Sequence, residues 1–151
     1  MSSNDTRHVQ VMIVGSGLSG LGTAIRLSQR GLSDFVVIER GPDVGGTWRD
    51  NTYPGAGCDV PSHLYSYSFA LNPDWSRSFS PQPEIEQYLR TVSERYGVRD
   101  KHIFDCALTG ARWNDADGRW DIETSKGTLI RAGGLWECFS WWMGLATSWS
   151  S

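Results

Sequence analysis

The feature that most restricts what this chain can fold into is GSGLSG, Gly15 to Gly20, set between two kinds of periodicity. Before it, His8 to Val14 is rich in Val and Ile, which predicts a buried strand ended by Gly15. After it, Leu18, Leu21, Ala24 and Ile25 recur at helical spacing, and Gly31 stands where a helix C′ residue belongs. Phe35 to Ile38 is a second short apolar run, bounded by Asp34 and Glu39. The opening of the chain therefore predicts a strand, a helix of about four turns and a second strand.

In that setting a G-x-G-x-x-G turn has a physical purpose. Gly15 permits the tight turn, Gly17 lets backbone approach a pyrophosphate, and Gly20 lets helix and strand pack closely. Ser16, Leu18 and Ser19 fill the other positions. The pyrophosphate would rest on the free N–H groups and positive dipole end of the helix that follows. Alone, the same six residues also describe a plain tight turn. Glu39 supplies a second element, about twenty residues past the turn, where a carboxylate accepts hydrogen bonds from an adenosine ribose. The alternative for Glu39 is a solvated charge at a strand end. Strand, turn, helix, strand and acid in register predict a dinucleotide fold. Arg40 is placed to accept a 2′-phosphate, but the acid favours a free ribose, hence FAD or NAD over NADP at this site.

A nicotinamide-binding domain would normally continue into another helix and a third strand. Here GGTWRDNTYPGAGCD follows, Gly45 to Asp59, with no apolar period and too many aromatics for a disordered segment. A long loop of that kind suits a wide, flat ring, so FAD is the better fit. Ile85, Leu89, Val92 and Tyr96 then line one face of an amphipathic helix that begins at SPQP and stops at Gly97. Three strands are expected next, around Ile103 to Trp113, Arg119 to Thr124 and Thr128 to Arg131, with NDADG and SKG as their turns. The fold class is α/β: a Rossmann-like FAD-binding βαβ unit with an antiparallel β-meander.

Composition narrows the partners. A net charge of −3 and a pI near 5.5 give no basic field for nucleic acid or an anionic membrane. Cys58, Cys106 and Cys138 form no CxxC pair, so neither a disulfide framework nor a metal site is indicated. The polar start MSSNDTRHV lacks the apolar core of a signal peptide, and a cytoplasmic setting is the simplest expectation.

VMIVGSGLSGLGTAIRL, VVIERGPDVGGTWRDNTYPGAGCDVPSHLYSYSF and PQPEIEQYL together resemble the N-terminal part of Baeyer–Villiger and related flavin-containing monooxygenases, over roughly Val9 to Ala132. The GGTW to SYSF block is the specific part. The resemblance implies that Gly15, Gly17 and Gly20 hold the FAD pyrophosphate and Glu39 the adenosine ribose. It further implies that Gly46, Thr47 and Trp48 lie along the flavin side. Asp59 and Tyr65 would contact the flavin region, Asp59 facing the nicotinamide and the family's active-site arginine. Leu108 would give a backbone contact to adenine. Trp48 and Tyr65 also have a plain reading, as packing residues. By the same resemblance NADPH reduces FAD, and the reduced flavin with O2 oxygenates a ketone to an ester or lactone, or else a sulfide or amine.

The family's chains are several times longer. A second G-x-G-x-x-G, the NADPH domain it opens and the active-site arginine are not found in these residues. The expected organisation is a partial FAD-binding domain over residues 1–132 and an atypical Trp-rich tail over residues 133–151. That tail, GGLWECFSWWMGLATSWSS, carries Trp136, Trp141, Trp142 and Trp149. It matches no expected strand, and its apolar stretch is interrupted by Glu137 and short of the roughly twenty residues of a membrane span. A prematurely ended or frame-shifted tail after Ala132 is the favoured reading, with a genuine C-terminus packed over the sheet as the alternative. The Trp-rich tail would either cover the open sheet face or promote self-association. Three readings stand: a monooxygenase by descent, a non-catalytic flavin-binding module, and a poorly folded fragment.

Overall fold

The apolar runs and the glycines between them account for most of the architecture. The computed structural model describes residues 6–138. Strand β1 is Arg7–Val14, helix α1 is Leu18–Gln29 and strand β2 is Phe35–Ile38. Helix α1 ends as expected: Gly31 has φ +81° and donates to the Ser28 carbonyl, while Leu32 donates to Leu27. Beyond it lie a single turn, α2 (Thr47–Asp50), and helix α3 (Gln82–Arg95), which starts with Pro83 in its first turn and stops before Gly97 at φ +63°. The remaining strands are β3 (His102–Ile103), β4 (Leu108–Asn114), β5 (Arg119–Thr124) and β6 (Leu129–Glu137).

The six strands form one sheet in the order β3-β2-β1-β6-β5-β4. The pairs β3/β2, β2/β1 and β1/β6 are parallel, and β6/β5 and β5/β4 are antiparallel. The α/β class, the βαβ unit and the meander are therefore present. On one face Ile13, Phe35 and Val37 bury against Ala24 of α1. On the other, Met12, Val36 and Ile38 pack with Cys106, Ile122, Ile130 and Ala132. A third cluster joins Leu21 and Ile25 of α1 to Tyr88, Leu89 and Val92 of α3. β2 is buried along its whole length, which is why its four residues read as a continuous apolar run.

Two expectations are corrected. The stretch from Ile103 to Trp113 is two strands, because Asp105 adopts φ +52° and redirects the chain from its parallel partner into the meander. Asp is among the few residues that accept that conformation readily. The last strand does not end at Arg131 but runs to Glu137, pairing with β1 from Arg7↔Ile130 to Val14↔Glu137. The glycine pair that opens the stretch expected to match no strand is what permits this. A Cβ on Gly133 would come within 3.1 Å of the Gln10 carbonyl oxygen, so glycine allows close approach of the two strands. Trp136 thus lies in the strand. Trp141, Trp142 and Trp149, and with them the expected association through the tail, fall outside the described residues.

Candidate functional site

The three glycines of the turn at the head of α1 differ in what requires them. Gly15 sits at φ +92°, and its N–H donates to the Ile38 carbonyl, which ties the turn to β2. A Cβ on Gly20 would lie 1.9 Å from the Gly15 carbonyl oxygen, so helix and turn touch there. Gly17, at φ −73° and ψ −166°, is in backbone that any residue adopts, and a Cβ on it would meet only the Gly46 Cα at 3.8 Å. Among the described residues nothing in the packing calls for glycine at position 17. Gly17 is the N-cap of α1 and offers no side chain, so among the described residues no side chain caps the first N–H groups of the twelve-residue helix.

Ser16 ties this turn to everything around it. Its buried N–H donates to Glu39 Oε2 at 2.8 Å, its carbonyl accepts from Gly45 N–H at 2.9 Å, and its hydroxyl is 2.8 Å from His102 Nε2. His102 Nδ1 is 2.8 Å from the Val98 carbonyl, which can only accept. Nδ1 therefore carries the proton, and Nε2 accepts from Ser16 Oγ–H. Burial pushes the His102 pKa below the usual imidazole value and prevails over the Val98 hydrogen bond, which favours the charged ring.

Glu39 is 4% exposed. Its Oε1 accepts from Gly41 N–H at 2.8 Å and pairs with Arg49 Nη1 at 3.1 Å. Arg49, on α2, also grips Asp50 through Nε and Nη2 at 2.8 and 3.1 Å, and its Nη1 donates to the Asp43 carbonyl. Burial disfavours the Arg49 charge, but the Asp50 hydrogen bonds and the field of Glu39 outweigh it and raise its pKa. Arg40, the residue read as a possible 2′-phosphate partner, is exposed and lies 3.6 Å from Asp50.

The long loop is folded onto this turn. Gly46 has φ +52°, and a Cβ there would sit 2.9 Å from the Gly17 Cα, so the two backbones meet. Thr47 is exposed at the start of α2. Trp48 and Tyr65 come together: the indole N–H donates to the phenol oxygen at 2.9 Å and the rings meet edge to face at 5.3 Å. Trp48 also packs on the cluster between α1 and α3, as its packing reading requires. Burial raises the Tyr65 pKa, the Trp48 N–H opposes this, and the Asp59 charge adds to it. Asp59 itself is exposed and makes no side-chain hydrogen bond among the described residues. The loop walls a cleft of about 540 Å³ with Tyr53, Pro54, Cys58, Arg77 and Phe79 at its sides.

Leu108 begins β4, half-buried against the sheet cluster. The segment before it is bound to the Glu39 corner, Asp105 N–H to the Gly41 carbonyl and Cys106 N–H to the Glu39 carbonyl, at 3.0 and 2.9 Å. The glycine turn, Glu39 and the Gly45–Gly46 corner thus form one hydrogen-bonded group, with Leu108 bordering it and Asp59 at the far end of the loop. Arg49 and His102 were missed in the sequence. Arg49 was signalled only as a charge beside Asp50 in a loop otherwise poor in charge, and His102 by nothing local.

Comparison with known proteins agrees with this geometry. A family model described as NAD(P)-binding Rossmann-like domain matches residues 13–92. A Baeyer–Villiger monooxygenase of Streptomyces coelicolor is 54% identical over 122 residues, 81% of this chain and 24% of that protein. A solved oxidized steroid monooxygenase bound to NADP superposes with a TM-score of 0.82 at 36% identity, covering 87% of this chain and 26% of that one. A solved OTEMO complex with FAD and NADP gives a TM-score of 0.80 at 31% identity over 86% of this chain and 25% of its own. The chain therefore spans about a quarter of the length of the relatives it matches.

Proposed function

The chain belongs to the family of NAD(P)-binding Rossmann-like domains, and we propose that it holds FAD, as the flavin-binding part of a Baeyer–Villiger type monooxygenase. The observation that carries this reading is Gly17: its backbone is unstrained and, among the described residues, no atom crowds its missing side chain, which leaves the space before α1 to a ligand. The uncapped N–H groups of α1 fit the pyrophosphate of a dinucleotide. Among the described residues Glu39 Oε2 receives one N–H, from Ser16, and keeps acceptor capacity for an adenosine ribose hydroxyl. Gly46, Thr47 and Trp48 run along the flavin half, with Tyr65 braced on Trp48 and Asp59 further along the loop. The backbone at Leu108 borders the adenine.

When bound, FAD would supply the redox chemistry, taking electrons from NADPH and passing an oxygen atom from O2 to a ketone. The residues here bind and orient it. One G-x-G-x-x-G is present in the 151 residues, so the proposed activity of this chain by itself is flavin binding without NADPH turnover. A non-catalytic flavin-binding module is the second reading, favoured by that single motif. The flavin absorption spectrum of the purified chain, followed by NADPH consumption with a cyclic ketone, tests both. Bound flavin without consumption is the expected result. A colourless protein that does not take up FAD contradicts the binding role, and ketone-dependent NADPH oxidation contradicts the expected lack of turnover.

A further inference from the structure

We propose that Arg49 is a positioning residue for nucleotide binding, one that fixes the Glu39 carboxylate so that Oε2 alone is offered to the adenosine ribose. This rests on the FAD reading above. Gly41 N–H donates to Oε1 at 2.8 Å and Arg49 Nη1 is ion-paired with it at 3.1 Å, so that oxygen is engaged by the protein. Among the described residues Oε2 has a single donor, Ser16 N–H at 2.8 Å. The Arg49 side chain is 9% exposed and is itself held by Asp50 and by the Asp43 carbonyl, so the clamp has little freedom to turn. Room for the guanidinium depends on the absence of a side chain at position 41. A Cβ on Gly41 would lie 2.2 Å from Arg49 Cζ and 2.4 Å from both terminal nitrogens.

The same arrangement bears on which nucleotide fits. Arg49 and Arg40 both have carboxylate partners, Glu39 and Asp50 for the first and Asp50 for the second. A 2′-phosphate arriving at this corner would have to break those pairs and face Glu39. A ribose hydroxyl needs only the vacant lone pair on Oε2.

Arg49→Met removes the clamp, Arg49→Lys keeps the charge without the fork, and Gly41→Ala displaces the guanidinium while leaving Arg49 in place. The probes are FAD and its analogue lacking the adenosine 2′-hydroxyl, titrated into the full chain by flavin fluorescence. In the wild type the analogue binds about tenfold more weakly, the worth of one hydrogen bond to a charged group. In Arg49→Met and Gly41→Ala that preference falls to about twofold or less, because FAD weakens while the analogue does not, and Arg49→Lys recovers part of it. A merely structural Arg49 weakens both ligands equally and preserves the preference, and that result in Gly41→Ala or Arg49→Met overturns the proposal. A wild type that binds FAD without preferring it over the analogue overturns the ribose role of Glu39 and the clamp with it. A wild type that binds neither overturns the FAD reading itself.

Discussion

Gly20 lies so close to Gly15 that a Cβ on the first would come within 1.9 Å of the carbonyl oxygen of the second. The contact is backbone against backbone, and neither side has a flexible end to move away. Gly20→Ala is therefore expected to force α1 off the turn and to cost about 1–3 kcal/mol or more in stability, as overpacking does. Denaturant unfolding followed by circular dichroism measures it, and an unchanged midpoint would show that the helix can slide.

Gly17 makes the opposite case. Gly17→Val has an unstrained backbone and only the Gly46 Cα at van der Waals distance from its Cβ, and it replaces a glycine N-cap, so folding stability should fall by no more than about 1 kcal/mol. FAD binding should be lost, because the isopropyl group takes the volume offered to the pyrophosphate. Comparison of melting curves with flavin titrations separates the two effects. Loss of stability equal to that of Gly20→Ala would mean that position 17 serves the fold.

His102 predicts a pH dependence with a definite sign. Its pKa is lowered from 6.5 in the folded chain, chiefly by burial. As pH falls through about 6.5 the unfolded chain takes up a proton that folded His102 refuses, so stability drops toward the lower folded value. Above about 6.5 the contribution is fully present. His102→Gln should flatten the difference in unfolding free energy between pH 7.5 and pH 5.5, the two pH values being chosen to bracket that of an ordinary imidazole. An identical slope in the variant would remove His102 as its source.

The far end of β6 is a prediction about the chain's C-terminal part. Gly134 to Glu137 pair with Val11 to Val14 of β1, the strand that leads into the glycine turn. Truncation after Ala132 should lower the melting temperature and weaken FAD binding relative to truncation after Cys138. Equal melting temperatures for the two would show that this part of the strand adds nothing.

Much of this was legible in the sequence because the signals are local. Phe35 to Ile38 is a run of four buried residues, and Gly31 and Gly97 stop helices in the conformation that glycine favours. The glycine turn and Glu39 could be read because their spacing reflects one βαβ unit. What stayed hidden depends on contacts between distant residues. His102 reaches Ser16 across 86 positions, and no periodicity records that. Arg40 drew notice by standing next to Glu39, yet Arg49 makes the ion pair, because the loop folds back and brings α2 over the carboxylate. The strand past Arg131 stayed hidden because Gly133 and Gly134 carry no apolar signal, and only their close approach to β1 shows that they belong to it.

The central claim is that the Glu39 corner and the glycine turn hold the adenosine half of FAD. Isothermal titration of FAD into the purified wild-type chain and into Glu39→Ala, each first shown to be folded by circular dichroism, tests it most directly. One FAD per wild-type chain, bound more weakly by about 1–3 kcal/mol in the variant, is the predicted result. Equal affinity in both proteins, or no binding by the folded wild type, would contradict it.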